Sequence, residues 1–339
     1  MTVPRVALIL GGGAARGLAH IGVLEVLERE EIRPAFLGGS SMGGLIAALR
    51  ASGLDATEIL DVARGFRFPR WFVPGGLVPW DRIFAPAVPH LGDATFETLE
   101  IPLAVLAVDV ESGRPVVLHR GEVLPAVEAS CAVPAVLPPV RIEGHLLMDG
   151  GLVNALPVDL AALAEPDVVV AVSVRAGKER RLPALDRALS GAGWSLGRLL
   201  PNPFTALLSF ELLVRAAEIS LERQATLAAA MVGPEVLVEP DVRDVGLRDF
   251  HRLDDAVDAG RRAAEAALPA IRRAIERAQG SRDPRRAPAR VAEVEPAYDP
   301  VCAMVVTEAS AAASLEVGGR RLLFCSLGCR DAWVRDHRG

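Results

Sequence analysis

The sequence predicts an α/β fold with a mostly parallel central sheet, plus a small Cys-rich module at its C-terminal end. Three observations predict it. The first fifty residues run in the order β-loop-α-β-turn-α, and strands joined through helices pair in parallel. Both strand-to-helix joints in that unit are rich in glycine and other small residues. A polar, proline-rich stretch, GSRDPRRAPARVAEVEP, then separates a cysteine-bearing tail from what precedes it.

Val3 to Leu10 reads as a buried strand, short, apolar and ended by glycines. Gly17 to Glu30 reads as a helix, because Leu18, Ile21, Leu24 and Leu27 recur every three residues on one face. Pro34 to Leu37 reads as the second strand and Met42 to Ala51 as a small-faced, buried helix. Further strands are expected at Leu103–Val108, Pro115–Leu118, Leu146–Met148, Val168–Val174 and Glu235–Val238. Helices are expected through most of Leu207–Ala230 and Asp254–Ala278, the second kinked at Pro269. The expected boundaries are a main domain at 1–280, a linker at 281–297 and a module at 298–339. No internal repeat is visible.

The chain has 339 residues, enough for one large domain and a small one. It is 51% hydrophobic but only 4% aromatic, so its core is built from Leu, Val, Ala and Ile. A formal net charge of −6 argues against nucleic acid as a partner. The opening MTVPRVALILGGG holds only a short apolar run, and no stretch reaches the ~20 apolar residues of a membrane span. The expected location is the cytoplasm, with peripheral contact at a membrane surface. That contact is suggested by Gly65-Phe66-Arg67-Phe68-Pro69-Arg70-Trp71-Phe72 with Trp80, where aromatic rings alternate with arginines; rings packed on the core are the competing reading. The apolar text from Trp194 to Val214, interrupted by Glu211 and Arg215, reads as a buried helix.

Three motifs carry chemistry. Gly11-Gly12-Gly13-Ala14-Ala15-Arg16-Gly17 follows a strand and opens a helix, where free backbone N–H groups favour negative charge. It lacks the Lys-Ser/Thr ending of a phosphate loop and the glycine spacing of a dinucleotide loop. An oxyanion hole and a plain strand-to-helix turn both remain open for it. Gly39-Ser40-Ser41-Met42-Gly43 has the pattern of a nucleophile elbow: small residues flank a serine whose strained backbone stands at a helix start. Asp149-Gly150-Gly151 follows the run Leu146–Met148. Its carboxylate serves as a general base if it reaches Ser41, and is otherwise an ordinary Asp-Gly turn. None of His90, His119, His145, His251 and His337 sits in a catalytic context.

Taken together, GGGAARGLAHIGVLEVLE, GGSSMGG, the stretch Ala129-Ser130-Cys131-Ala132-Val133-Pro134-Ala135-Val136-Leu137-Pro138-Pro139-Val140, and DGGLVNALPV resemble the patatin-like phospholipase family over roughly residues 5 to 275. The resemblance implies a three-layer fold and a Ser–Asp dyad without histidine, with Ser41 as nucleophile and Asp149 as base, and no cofactor for catalysis. It also implies an oxyanion hole from the N–H groups around Gly12, Gly13 and Ala14, with Arg16 nearby. Here Ala14 stands where the family usually has its third glycine. The implied function is hydrolysis of carboxylic esters of lipids, of the phospholipase A or lysophospholipase type. A second class stays open: a metal-sensing or regulatory protein on a hydrolase scaffold with little activity.

Of the four cysteines, Cys131 lies in apolar text and reads as a small buried residue. Cys302, Cys325 and Cys329 form the spacing Cys-x22-Cys-x3-Cys in a segment too small for a core of its own. DPVC-x-M and FC-x-x-x-C resemble a YHS/TRASH-type metal-binding module. Thiolates suit Zn²⁺ or Cu(I), with His337 as a candidate fourth ligand.

Overall fold

The structure is a computed structural model that describes residues 4–66, 78–175, 203–281 and 291–337. Its eight-stranded sheet comprises β1 (Val6–Leu10), β2 (Pro34–Ser40), β3 (Leu103–Asp109), β4 (Pro115–Leu118), β5 (Val140–Ile142), β6 (His145–Asp149), β7 (Val168–Val172) and β8 (Val236–Val238). Strands β3-β2-β1-β7-β8 pair in parallel, and β4, β5 and β6 add antiparallel pairs at the β3 side. The helices are α1 (Ala19–Arg29), α2 (Met42–Ala51), α3 (Ala56–Arg64), the short α4 (Trp80–Phe84) and α5 (Val88–Leu91), α6 (Val123–Ser130), α7 (Pro203–Val232) and α8 (Leu253–Ser281).

β1 shows why the sheet lies in the middle. All five of its residues are buried, but they serve two cores. Val6, Leu8 and Leu10 pack with α1, α2 and α8. Ala7 and Ile9 face the opposite layer, with Leu156, Leu160, Ala225 of α7, Val291 from within the expected linker and Val305 from beyond it. A parallel sheet covered on both faces requires this kind of near-continuous apolar strand. Among the described residues no helix is long and apolar enough to cross a membrane.

Several boundaries differ from expectation for physical reasons. β2 runs three residues further, through Gly38 and Gly39 to Ser40, so the sheet itself delivers the elbow. A tight 3-10 turn, Ala14–Leu18, precedes α1. α3, α6 and β5 were not anticipated; α3 is closed by a reciprocal Asp55–Glu58 capping box. α8 runs unbroken through Pro269. Phe66 and Trp80, at the two ends of the aromatic–arginine stretch, are core residues packed on Phe84, while 67–77 lie outside the described residues. Residues 194–202 also lie outside them, so the buried helix expected from Trp194 to Val214 is described only from Pro203, by its backbone.

Of the expected linker, 282–290 lie outside the described residues; from Val291 the chain is packed back on the sheet. The Val294 carbonyl accepts from Arg120 at 3.1 Å, and the Tyr298 hydroxyl accepts the Val117 N–H at 3.0 Å. The tail then forms β9 (Ala297–Tyr298) paired with β10 (Val305–Val306), the hairpin β11 (Ala313–Val317) and β12 (Arg320–Phe324), and α9 (Leu327–Asp336).

Candidate active site

Ser41 is the cap of α2 and sits at φ 54°, ψ −129°, a backbone region that side chains rarely adopt. Such an outlier costs of order 1–3 kcal/mol and persists only where its surroundings fix it. They do so here. The Ser41 N–H donates to Ser130 Oγ at 3.0 Å, and Ser130 donates onward to the Leu106 carbonyl at 2.7 Å. The two glycines of the elbow permit close approach. A Cβ on Gly43 would fall on the Leu10 carbonyl, and one on Gly39 would lie 2.7 Å from the backbone at Gly43 and Gly44.

Asp149 reaches this serine through sheet register. Along one edge of β3, Ser40 pairs with Leu106 and Asp149 pairs with the next residue, Ala107. β4 occupies the other edge of the same residues. β2 and β6 therefore meet tip to tip from opposite directions, and their last residues abut. The Ser41 hydroxyl donates to Asp149 Oδ2 at 2.6 Å, and the Gly151 N–H donates to Oδ1 at 2.7 Å. Burial pushes the Asp149 carboxyl up to about 6, although both hydrogen bonds pull it down. A carboxylate so desolvated is a stronger base than one in water.

The glycine loop lies on the adjacent strand, β1. Its amides are not equivalent. Gly11 donates to Val172 O at 3.0 Å, Gly12 to Ala155 O at 2.8 Å and Ala15 to Leu247 O at 3.1 Å. Among the described residues the amides of Gly13 and Ala14 have no acceptor. Ala14 tolerates the third-glycine position at φ 47°. Arg16 is buried with its Nε on the Val245 carbonyl at 2.7 Å, so that nitrogen braces the loop from behind. His20, which lies inside the first matching motif but has no role assigned there, is fully buried and binds the Gly11 carbonyl through Nε2 at 2.7 Å. Burial lowers it to about 4, so the ring is neutral and Nε2 carries the hydrogen.

Residues 8–162 match the family model described as patatin-like phospholipase. Over this segment the chain is similar to patatin-like phospholipases. An uncharacterized NTE family protein of Mycobacterium tuberculosis (strain CDC 1551 / Oshkosh) is 32% identical over 274 residues, 78% of this chain and 46% of the relative. Patatin-like phospholipase domain-containing protein 6 of Mus musculus is 30% identical over 276 residues, 77% of this chain and 20% of that protein. The chain thus spans less than half the length of these curated relatives. The crystal structure of VipD from Legionella pneumophila shares 12% identity at a TM-score of 0.47, over 79% of this chain and 67% of that one.

Beyond the matched segment, the tail gathers its thiols. Cys302 Sγ lies 3.5 Å from Cys325 Sγ, which lies 3.6 Å from Cys329 Sγ. Zn–S bonds of ~2.3 Å in a tetrahedron place sulfurs about 3.8 Å apart, so the set fits a four-coordinate soft or borderline cation. Asp299, missed as a site residue, completes the group within 4.8 Å. Its carboxylate accepts the N–H groups of Val301 at 2.8 Å, Cys302 at 3.3 Å and Cys325 at 2.7 Å, and so clamps the two cysteine loops together. Burial pushes Cys302 up to about 11, and Cys325 higher still; a bound cation would reverse both by stabilising thiolate. His337 is not in this group. It caps the end of α9 with its ring stacked on Trp333 at 4.0 Å and Nδ1 at the Trp333 carbonyl.

Proposed function

We propose that the patatin-like domain is a serine acyl hydrolase that cleaves carboxylic esters of lipids, of the phospholipase A or lysophospholipase type. The observation that carries this reading is the 2.6 Å bond from the Ser41 hydroxyl to a buried carboxylate, made at a strained strand-to-helix turn. Ser41 Oγ attacks the acyl carbonyl carbon while Asp149 Oδ2 takes the hydroxyl proton. The carbonyl oxygen becomes an oxyanion facing the Gly13 and Ala14 amides. Collapse breaks the ester bond, and Asp149 returns its proton to the departing alcohol. A water then attacks the acyl-serine, losing its proton to Asp149; collapse breaks the bond to Ser41 Oγ, Asp149 returns the proton to that oxygen, and the fatty acid leaves. The relatives' family names support a lipid substrate.

The tail is proposed as a YHS/TRASH-like module that holds Zn²⁺ or Cu(I) on Cys302, Cys325 and Cys329, a reading supported by the sulfur spacing. A fluorophosphonate probe tests the hydrolase reading. It should label Ser41 alone, and Ser41→Ala and Asp149→Asn should each remove turnover of p-nitrophenyl acyl esters. A double mutant should be scarcely worse than either single one, because a dyad acts as a unit. Labelling at Ser40, or normal turnover by folded Asp149→Asn, would sink it.

A further inference from the structure

The segment from Asp149 to Asp159 is a single strap that touches every part of the proposed chemistry. It begins at the base. The Asn154 N–H donates to the Gly150 carbonyl at 3.0 Å and closes the turn that follows the base. The Ala155 carbonyl accepts the Gly12 N–H at 2.8 Å, which braces the glycine loop. Asn154 Nδ2 then donates to Asp159 Oδ1 at 3.0 Å.

The other oxygen of Asp159 leaves the domain. Oδ2 accepts the buried N–H of Val305 at 2.8 Å. Val305 stands three residues beyond Cys302 and pairs with Tyr298 across the β9–β10 ladder. The residue after Tyr298 is Asp299, the clamp on the Cys302 and Cys325 loops. The thiol cluster and the strap are therefore joined by a few residues of hydrogen-bonded backbone, with one carboxylate at the junction. Asp159 is only 7% exposed. Burying a carboxylate to tie two neutral donors is a costly way to join two surfaces when an apolar contact would serve.

We infer that the thiol cluster is an effector site for the hydrolase, and that Asp159 is the positioning residue through which it acts. A cation on Cys302, Cys325 and Cys329 stiffens the β9–β10 ladder and seats Val305 on Asp159. The strap that carries Asp149 and braces Gly12 is thereby fixed. The inference rests on both proposed readings, the dyad and the metal-holding tail. It makes a demand that a mere structural tail would not meet: coupling between two sites is reciprocal, so a group held at Ser41 must alter the hold on the cation.

The test uses the full chain and Zn²⁺ as the probe. Zn²⁺ affinity is measured by chelator competition on wild type before and after phosphonylation of Ser41, and on Asp159→Asn in the same two forms. The expected result is a shift of about fivefold or more in the wild-type Kd on phosphonylation, absent in Asp159→Asn. Hydrogen exchange gives a readout independent of the serine. Zn²⁺ should slow exchange across 150–158 in wild type and leave it unchanged in Asp159→Asn. Tyr298→Phe removes the neighbouring acceptor of the Val117 N–H but keeps Asp159, and should shrink the same shift, so the result does not hang on one variant's folding. Equal Zn²⁺ affinity in both wild-type forms, strap exchange indifferent to Zn²⁺, or no stoichiometric Zn²⁺ would each overturn the inference. A probe that fails to label Ser41, with strap exchange still Zn²⁺-dependent, would instead defeat the hydrolase reading and support the coupling.

Discussion

The proposed reaction requires Asp149 to act as a base, yet this carboxyl is buried, and the two conditions set opposite pH demands. Its folded pKa of about 6 lies above the ordinary carboxylate value, so the folded state holds the proton more tightly than the unfolded chain. Its contribution to stability therefore falls as pH rises from about 4 to about 6, and the full cost, on the order of 2–3 kcal/mol, stands above that window. Catalysis needs the ionised form, so ester turnover should rise with pH through an apparent pKa near 6. Asp149→Asn should lose a hundredfold or more in kcat, within the usual range for a general base, yet melt at a higher temperature than wild type at pH 8. That gain should close towards pH 4; a gain independent of pH would mean that the carboxyl is not strained by burial. Ser41 and Asp149 could be picked out as candidates because an elbow needs small neighbours and a base needs a strand end, both local needs; their 2.6 Å contact is what the structure adds. Ser130 and His20 were not. Ser130 reaches the Ser41 amide across 89 residues of chain, and no spacing announces that bond. Ser130→Ala should leave that amide without its acceptor and lower both stability and kcat, by about 1–3 kcal/mol in stability. Chemical denaturation alongside steady-state kinetics would check it.

At the scale of elements, regularities that stay within one segment were readable. α1 follows from periodicity and α2 from its run of small and apolar residues, and β4 was placed at its observed ends. α3 was equally legible, since Asp55 and Glu58 bracket the start of an amphipathic run, but its capping box went unread. The tip-to-tip meeting of β2 and β6 was out of reach, because it depends on which edge of β3 each strand takes. So was the crossing of α1 and α8. A Cβ on Gly22 would fall on the Val257 carbonyl, and one on Gly260 on the Ala19 carbonyl, so the two backbones touch. Gly260→Ala should force them apart and cost about 1–3 kcal/mol, seen as a lower urea midpoint with an unchanged slope. An unchanged midpoint would show that the crossing has slack. α7 carries the element-scale argument for lipid access. Leu221 faces Gly151 beside the base, while Ile219, Leu227 and Met231 are about half exposed or more. Leu227→Glu should depress hydrolysis of phospholipid vesicles far more than hydrolysis of a soluble short-chain ester. Equal losses on both would place α7 in the scaffold alone.

The whole molecule is more continuous than its composition suggests. Residues 280–296 have the polar, proline-rich character of a spacer, and a spacer would let the two units unfold separately. Composition says what a segment can do when free; it does not show that Val291 and Val305 complete the apolar layer under Ala7 and Ile9. That shared layer is joined by the Val305–Asp159 and Val117–Tyr298 bonds. A unit whose core includes residues from both segments loses that core when either leaves. The chain should therefore melt in one calorimetric transition at the sheet's own temperature, without an earlier step for the tail. Zn²⁺ should move that single transition upward, because a ligand held only by the folded state stabilises by mass action, about 2.7 kcal/mol at a hundred times Kd. Cys325→Ser, which removes the central thiol of the three, should abolish the shift while leaving one transition. Two separated transitions, with Zn²⁺ moving only the smaller, would show that the tail is an independent unit resting on the sheet.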